Sequence, residues 1–86
     1  VEEIRHQIRS VNGVRALHML RTRRMGANAL VDVHILVDPK LSVSEGHMIG
    51  DRVRRRLTQA LDDVNDVTVH IDPEDDERHP VDISLP

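Results

Sequence analysis

The stretch Ala-Leu-Val-Asp-Val-His-Ile-Leu-Val, residues 29–37, alternates between two kinds of side chain. The odd-numbered positions after Ala29 are all aliphatic: Val31, Val33, Ile35 and Val37. The even-numbered positions include the polar residues Asp32 and His34. Successive side chains of a strand point to opposite faces of a sheet. The stretch therefore predicts a strand whose aliphatic face joins the core and whose His34 points away from it.

A helix is predicted after this strand. Asp38-Pro39 ends the strand, and Ser42 with Glu45 forms a capping box that begins the helix. The apolar stripe of the helix consists of Ile49, Val53, Leu57, Ala60, Leu61 and Val64. His47 lies in the first turns of this helix, off the stripe.

A third strand follows the second helix. Its alternating residues are Val67, Val69 and Ile71 on one face and Thr68, His70 and Asp72 on the other, up to Pro73. A strand–helix–strand crossover is right-handed in nearly all proteins and links two parallel strands. We therefore expect the second and third strands to be parallel neighbours.

Two elements are predicted before residue 29. Apolar residues recur every three or four positions over residues 1–11, which predicts an amphipathic helix that ends at Asn12-Gly13. Residues 14–24 predict a strand, but its alternation changes phase around His18. A β-bulge at this point would resolve the change of phase.

The order helix, strand, strand, helix, strand predicts an α+β fold. A short connection at residues 25–28 makes the first two strands antiparallel, so the sheet has three strands in mixed orientation, with both helices on one face. The uncovered face is expected to gather four side chains: His18, His34, His70 and Asp72. Residues 1–74 form the predicted domain, and residues 75–86 are predicted to be an acidic tail or extended arm.

Composition limits the function classes. Of the 86 residues none is cysteine, which excludes disulfides, thiolate catalysis and cysteine-rich zinc sites. A formal charge of −3 and the lack of Phe, Tyr and Trp argue against a nucleic-acid binder. No apolar run approaches the roughly 20 residues that span a bilayer, and no secretory signal is present. Because the sequence begins at Val1 without a methionine, we expect a domain of a longer protein.

The six histidines are the main chemical signal. Imidazole nitrogens and carboxylate oxygens are ligands that a borderline divalent cation such as zinc accepts. No two of these histidines have the spacing of a zinc finger or a helical metal motif, so the prediction depends on where the fold places them. A single surface histidine is more often without a ligand role, and His6 and His79 are interpreted in this way. Ser42 is a helix cap and no glycine-rich phosphate loop is present, so no enzymatic activity is expected.

Four segments resemble those of one protein family. They are Leu-His-Met-Leu-Arg-Thr-Arg (17–23), Val-Asp-Val-His-Ile (31–35), Glu-Gly-His-Met-Ile (45–49) and Val-His-Ile-Asp-Pro (69–73). In this order they resemble the C-terminal cytoplasmic domain of cation diffusion facilitator transporters, over about residues 1–74. The resemblance implies a ferredoxin-like or metallochaperone-like domain that hangs from a six-helix membrane transporter, on the cytoplasmic side, and forms a homodimer.

The resemblance also implies a divalent metal ion near the dimer interface that regulates transport, with zinc as the expected ion. The family's metal-binding positions correspond to His18, His34, His47, His70 and Asp72. Asp72 is implied as a bridging carboxylate if two ions bind, and Asp32 is a second-rank candidate. A free-standing ferredoxin-like metal carrier or small-molecule sensor is the alternative.

Overall fold

The computed structural model describes residues 2–74 of the chain. The elements in chain order are α1 (Glu2–Arg9), β1 (Ala16–Met25), β2 (Asn28–Val37), α2 (Val43–Ala60) and β3 (Val64–Pro73). The strands form one sheet in the order β1-β2-β3, in which β1 is antiparallel and β3 parallel to β2. The predicted α+β fold and its strand orientations are confirmed. The predicted acidic tail, residues 75–86, lies outside the described residues.

The aliphatic face of β2 forms the centre of the core. Val33 and Ile35 are 0% exposed, and they belong to one buried cluster with residues of both helices. From the helices this cluster includes Ile8 of α1 and Val53 and Leu57 of α2. The helices contact each other, and α1 also contacts β1 while α2 contacts β3. Both helices therefore cover the same face of the sheet, and the other face, here called the outer face, carries the polar positions of β2.

The predicted apolar stripe of α2 is too long at its C-terminal end. Ala60, the last residue of the helix, is exposed. Leu61 caps the helix with an extended backbone, and Val64 is buried as the first residue of β3. β3 thus begins three residues before the predicted Val67. The cause is tertiary, since Ala29 pairs with Val64 and extends the ladder with β2 in this direction.

The capping box at the start of α2 is confirmed. The backbone N–H of Glu45 donates to Ser42 Oγ at 3.0 Å, and the backbone N–H of Ser42 donates to Glu45 Oε1 at 2.9 Å. Two N–H groups that the helix leaves unpaired are satisfied in this way. Neither helix in the described part of the chain is long and apolar enough to cross a membrane.

The predicted bulge in β1 is also confirmed. Leu17 pairs with Ile35, but the next pair in the ladder joins Met19 to His34. His18 is the extra residue between these two pairs. Met19, rather than His18, therefore lies directly opposite His34.

Ion pairs connect the strand ends. Arg15, just before β1, donates to Asp38 Oδ2 at 3.3 Å and to Glu74 Oε1 at 3.1 Å, and these carboxylates follow β2 and β3. The backbone N–H of Lys40, aided by the charge of Arg15, lowers the pKa of Asp38 from its ordinary value. At the opposite end of the sheet, Arg24 donates to Asp63 at 2.6 Å.

α2 lies very close to β3 at Gly50. A Cβ built on Gly50 would lie 2.7 Å from Cδ1 of Ile71, closer than real Cβ contacts. A Cβ on Gly46, one turn earlier, would lie 3.8 Å from Cγ2 of Ile71, which is an ordinary contact. Ile71 stands between His70 and Asp72, so this approach sets the distance from α2 to the strand segment that carries both residues.

We expect Gly50→Ala to have a free energy of unfolding about 1–3 kcal/mol lower than that of Gly46→Ala, because its added methyl group must displace Ile71 from its rotamer or move α2 away from β3. Gly46→Ala is the matched control, since its methyl group fits and both variants gain the same helix preference of alanine over glycine, about 1 kcal/mol. Urea unfolding of the metal-free protein measures both changes. Equal stabilities of the two variants would contradict the close approach at Gly50.

Candidate metal centre

His34 and His70 lie side by side on the outer face. The parallel register of β2 and β3 pairs them directly. Their rings are stacked, with centroids 4.2 Å apart and planes inclined by 9°. The prediction that His34 and His70 share the uncovered face of adjacent strands is therefore confirmed.

Each imidazole has a carboxylate from the neighbouring strand close to it. Asp32 of β2 places Oδ1 3.1 Å from Nε2 of His70 on β3. In the reverse sense, Asp72 of β3 places Oδ2 3.8 Å from Nδ1 of His34 on β2. The two diagonal pairs place four potential metal-ligand groups, two imidazoles and two carboxylates, next to one another across the two strands.

Asp32 has an oxygen atom whose surroundings fit a metal ion. Its Oδ1 is buried and has no hydrogen-bond partner in the described part of the chain, although His70 Nε2 is close by. A buried polar atom without a partner is costly, and such atoms are rare in folded proteins. Ligand atoms of Asp32, His34 and His70 all lie within 4.8 Å of one another. Zinc binds imidazole nitrogen and carboxylate oxygen at about 2.0–2.2 Å, so a set of this size needs only small side-chain movements to close around one ion.

Asp32 thus ranks higher in the structure than in the sequence, where it was a second-rank candidate. The signal that points to it is already in the strand alternation, because Asp32 and His34 occupy successive positions of the same face. What the alternation does not show is the diagonal reach of Asp32 to His70 on the next strand.

His18 is not in this group of ligands. It is exposed at the bulge in β1, and the position opposite His34 belongs to Met19. Among residues 2–74, the three side chains that meet as potential ligands are Asp32, His34 and His70. A ligand role for His18 stays a prediction.

His47 lies on the helical layer, at the N-terminal end of α2. It lines a groove of about 350 Å³ together with Asp72, and Val43 and Ile71 form part of the apolar wall. The groove shows how a side chain of α2 comes near the end of β3 without crossing the sheet. His47 and Asp72 therefore line the same groove, although His47 does not belong to the ligand group on the outer face.

The arginines of α2 are exposed, and part of their charge is neutralised locally; they are Arg52, Arg54, Arg55 and Arg56. Arg54 and Arg55 both pair with Asp51, and Arg56 donates to Ser10 at 2.6 Å. The hydrogen bond from Arg54 is the main reason that the pKa of Asp51 is lowered. These contacts fit a solvated helix surface.

Comparison with known proteins identifies the family. The model of the cation efflux protein cytoplasmic domain matches residues 1–74. The chain belongs to this family. Metal tolerance protein C1 of Arabidopsis thaliana is 47% identical over 73 residues, which cover 85% of this chain and 16% of that protein. Metal tolerance protein 2 of Oryza sativa subsp. japonica is 41% identical over 71 residues, covering 83% and 18% respectively. The chain therefore spans less than a fifth of the length of these relatives.

Solved structures of the MamM C-terminal domain have the same fold. A variant in a cadmium form superposes with a TM-score of 0.81 at 25% identity and covers 84% of this chain and 90% of its own. A variant in a nickel form gives a TM-score of 0.77 at 26% identity, with coverage of 85% and 98%. The ferredoxin-like, metallochaperone-like fold and the cytoplasmic domain of a cation efflux protein, both implied by the sequence resemblance, are confirmed.

Proposed function

We propose that this domain senses a divalent metal ion and regulates, as a homodimer, the cation efflux transporter to which it is attached. The observation that carries the proposal is the convergence of Asp32, His34 and His70 around a buried carboxylate oxygen that has no hydrogen-bond partner among residues 2–74. Membership of the cation efflux family supports the link to transport, and the cadmium and nickel forms of related MamM domains support divalent metals as ligands.

The ligands fall into two sets. Asp32, His34 and His70 form the first set, because their donor atoms already lie together. His18, His47 and Asp72 form the second set, which a partner protomer or a change of conformation would complete. Asp72 connects the sets, since it approaches His34 on the outer face and shares a groove with His47 at the strand end. In this proposal Asp72 bridges the ions when two are bound.

Zinc is the ion that we propose for this donor set. It accepts imidazole and carboxylate together, and a chain without cysteine offers no thiolates for a softer ion. The residues must present neutral imidazoles and ionised carboxylates, so protons compete with the metal. Binding consequently weakens as the pH falls through the range in which histidine takes up a proton.

We expect His70→Ala and Asp32→Asn each to weaken zinc binding by at least about tenfold, because metal sites lose this much even when an outer-shell partner of a ligand is removed. Asp32→Asn keeps the size of the side chain but removes its charge. His6→Ala is the matched control, since His6 is an exposed histidine of α1 and outside the ligand group. Titration calorimetry in a non-chelating buffer gives the affinities. If both His70→Ala and Asp32→Asn bind zinc with wild-type affinity, the proposal that the metal site lies on the outer face is wrong.

Homodimer formation is the second part of the proposal. The three strands leave one face of the sheet without a covering layer in the described chain, and Met19 on that face is 39% exposed. Small domains gain from burying further surface, and two-fold pairing is the commonest closed assembly. An ion that takes ligands from two protomers would add to this gain.

We expect light scattering to show a dimer at high protein concentration. Zinc should lower the protein concentration at which the dimer forms, because bound metal stabilises the assembled state. A concentration series with zinc, and one with a chelator, separates the two effects. His70→Ala should dimerise in the chelator series like the wild type but lose the effect of zinc. A monomer at every concentration, with and without zinc, would contradict this part of the proposal.

Regulation requires that the metal prefers one arrangement of the protomers, since an ion shifts an equilibrium only through different affinities for its two states. His47 is the reason to expect such a preference. It lies on α2, whereas the other ligands lie on strands, so gathering it with them restricts how the helical layer and the outer face of two protomers are placed.

We expect zinc to shorten and narrow the distance between spin labels at Gln59→Cys in the two protomers, because gathering ligands from different elements favours one compact arrangement. The chain has no native cysteine, so a single labelled position is unambiguous. The effect should be present at about pH 7.5 and absent at about pH 5.5, below the ordinary histidine pKa of about 6.5. An unchanged distance distribution at the higher pH would refute the switch while leaving metal binding intact.

A further inference from the structure

A shallow cavity on the outer face adjoins the candidate metal centre. Its volume is about 590 Å³, and Asp32 and His70 form part of its wall. The charged residues that face it come from all three strands: Arg21 and Arg23 of β1, Asp32 of β2, and Asp66 of β3. Among the described residues of the wall, two guanidinium groups thus balance two carboxylates, which leaves no net charge when His70 is neutral. A site built for maximal attraction of a divalent cation would not contain these arginines.

Arg21 is the closest of these positive charges to the ligands by strand register. It is paired with Asp32 in the antiparallel ladder of β1 and β2. Side chains in such cross-strand positions start from Cβ atoms about 4.5–5.5 Å apart. Arg21 nevertheless has no carboxylate within 4.0 Å among the described residues, whereas Arg15 and Arg24 near the ends of the same strand are both paired.

Asp32, the register partner of Arg21, likewise forms no ion pair with an arginine among the described residues. Asp32 is close to His70 but to no guanidinium within 4.0 Å, and its Oδ1 accepts no hydrogen bond within the described residues. An arginine and an aspartate in opposite register positions usually attract each other. Here Asp32 Oδ1 lies 3.1 Å from Nε2 of His70, and Arg21 is an exposed residue.

We propose that Arg21 sets the metal affinity of the Asp32–His34–His70 site. Its permanent positive charge repels the divalent ion and competes with it for Asp32, so the affinity stays below the value that the three ligands alone would provide. This inference rests on the proposed function, because a sensor needs a metal affinity that is not too high. A sensor must release its ion when the concentration falls, and a fixed repulsive charge weakens the bound state without altering any ligand.

The size of the effect follows from Coulomb's law. In water at low ionic strength, a unit charge about 6–12 Å from a divalent ion changes the affinity for that ion about three- to tenfold. The charge acts through solvent, so dissolved salt screens it, with a screening length of about 3 Å at 1 M. Salt dependence therefore separates this repulsion from a steric effect of the side chain.

The test measures zinc affinity by competition with a chromophoric chelator in wild type, Arg21→Gln, Arg21→Lys and Arg52→Gln. Arg52→Gln is the matched control, because it removes the same charge from an exposed position of α2, in the helical layer. We expect Arg21→Gln to bind zinc about three- to tenfold more tightly at low salt, with this ratio approaching one at about 1 M salt. Arg21→Lys and Arg52→Gln should remain close to wild type.

Three results would overturn the inference while leaving the metal site itself in place. They are an unchanged affinity in Arg21→Gln at low salt, a gain of the same size at high salt, and an equal gain in Arg52→Gln. A wild-type protein that binds no zinc would instead refute the proposed function, and the role of Arg21 with it. Thermal unfolding of each metal-free variant checks that the substitutions leave the fold unchanged.

Discussion

The in-register parallel pairing of β2 with β3 is the constraint on which the candidate site depends. It places His34 directly beside His70 and brings their carboxylate neighbours within reach across the two strands. Parallel strands need a long crossover, which α2 provides. The cap at Ser42 fixes where α2 begins, and Gly50 allows it to lie close to the strand segment around Ile71. A shift of one residue in this register would turn one of the histidines toward the core.

The two faces of the sheet differ in composition and burial. The inner face is aliphatic, and no polar or charged residue is buried among the described residues. Stability therefore comes from hydrophobic burial, without any charge that must be compensated in the core. The outer face carries partly exposed residues such as His34, so on the proposed function an ion binds there or leaves at little cost to the packing. On the proposed function, bound metal then stabilises the arrangement that it prefers.

On the proposals above, the candidate centre contains one group that attracts a metal ion and one that repels it. Asp32 supplies a carboxylate oxygen without a hydrogen-bond partner in the described chain, and Arg21 supplies an exposed positive charge across the strand pair. If both act as proposed, the strength of binding is a difference between ligation and electrostatic repulsion. Each can then change by a single substitution outside the core, which separates metal affinity from the stability of the fold.

The sequence by itself determined the order and type of the elements, the capping box, the bulge in β1 and the face that His34 shares with His70. These features follow from local periodicity, from a two-residue capping pattern and from the single hand of parallel crossovers. Only the tertiary structure decided that Asp32 reaches His70, that Met19 takes the place opposite His34, and that β3 begins at Val64. Each of these depends on how residues distant in the sequence pair across strands, and strand alternation records which face a residue occupies but not which partner it meets there.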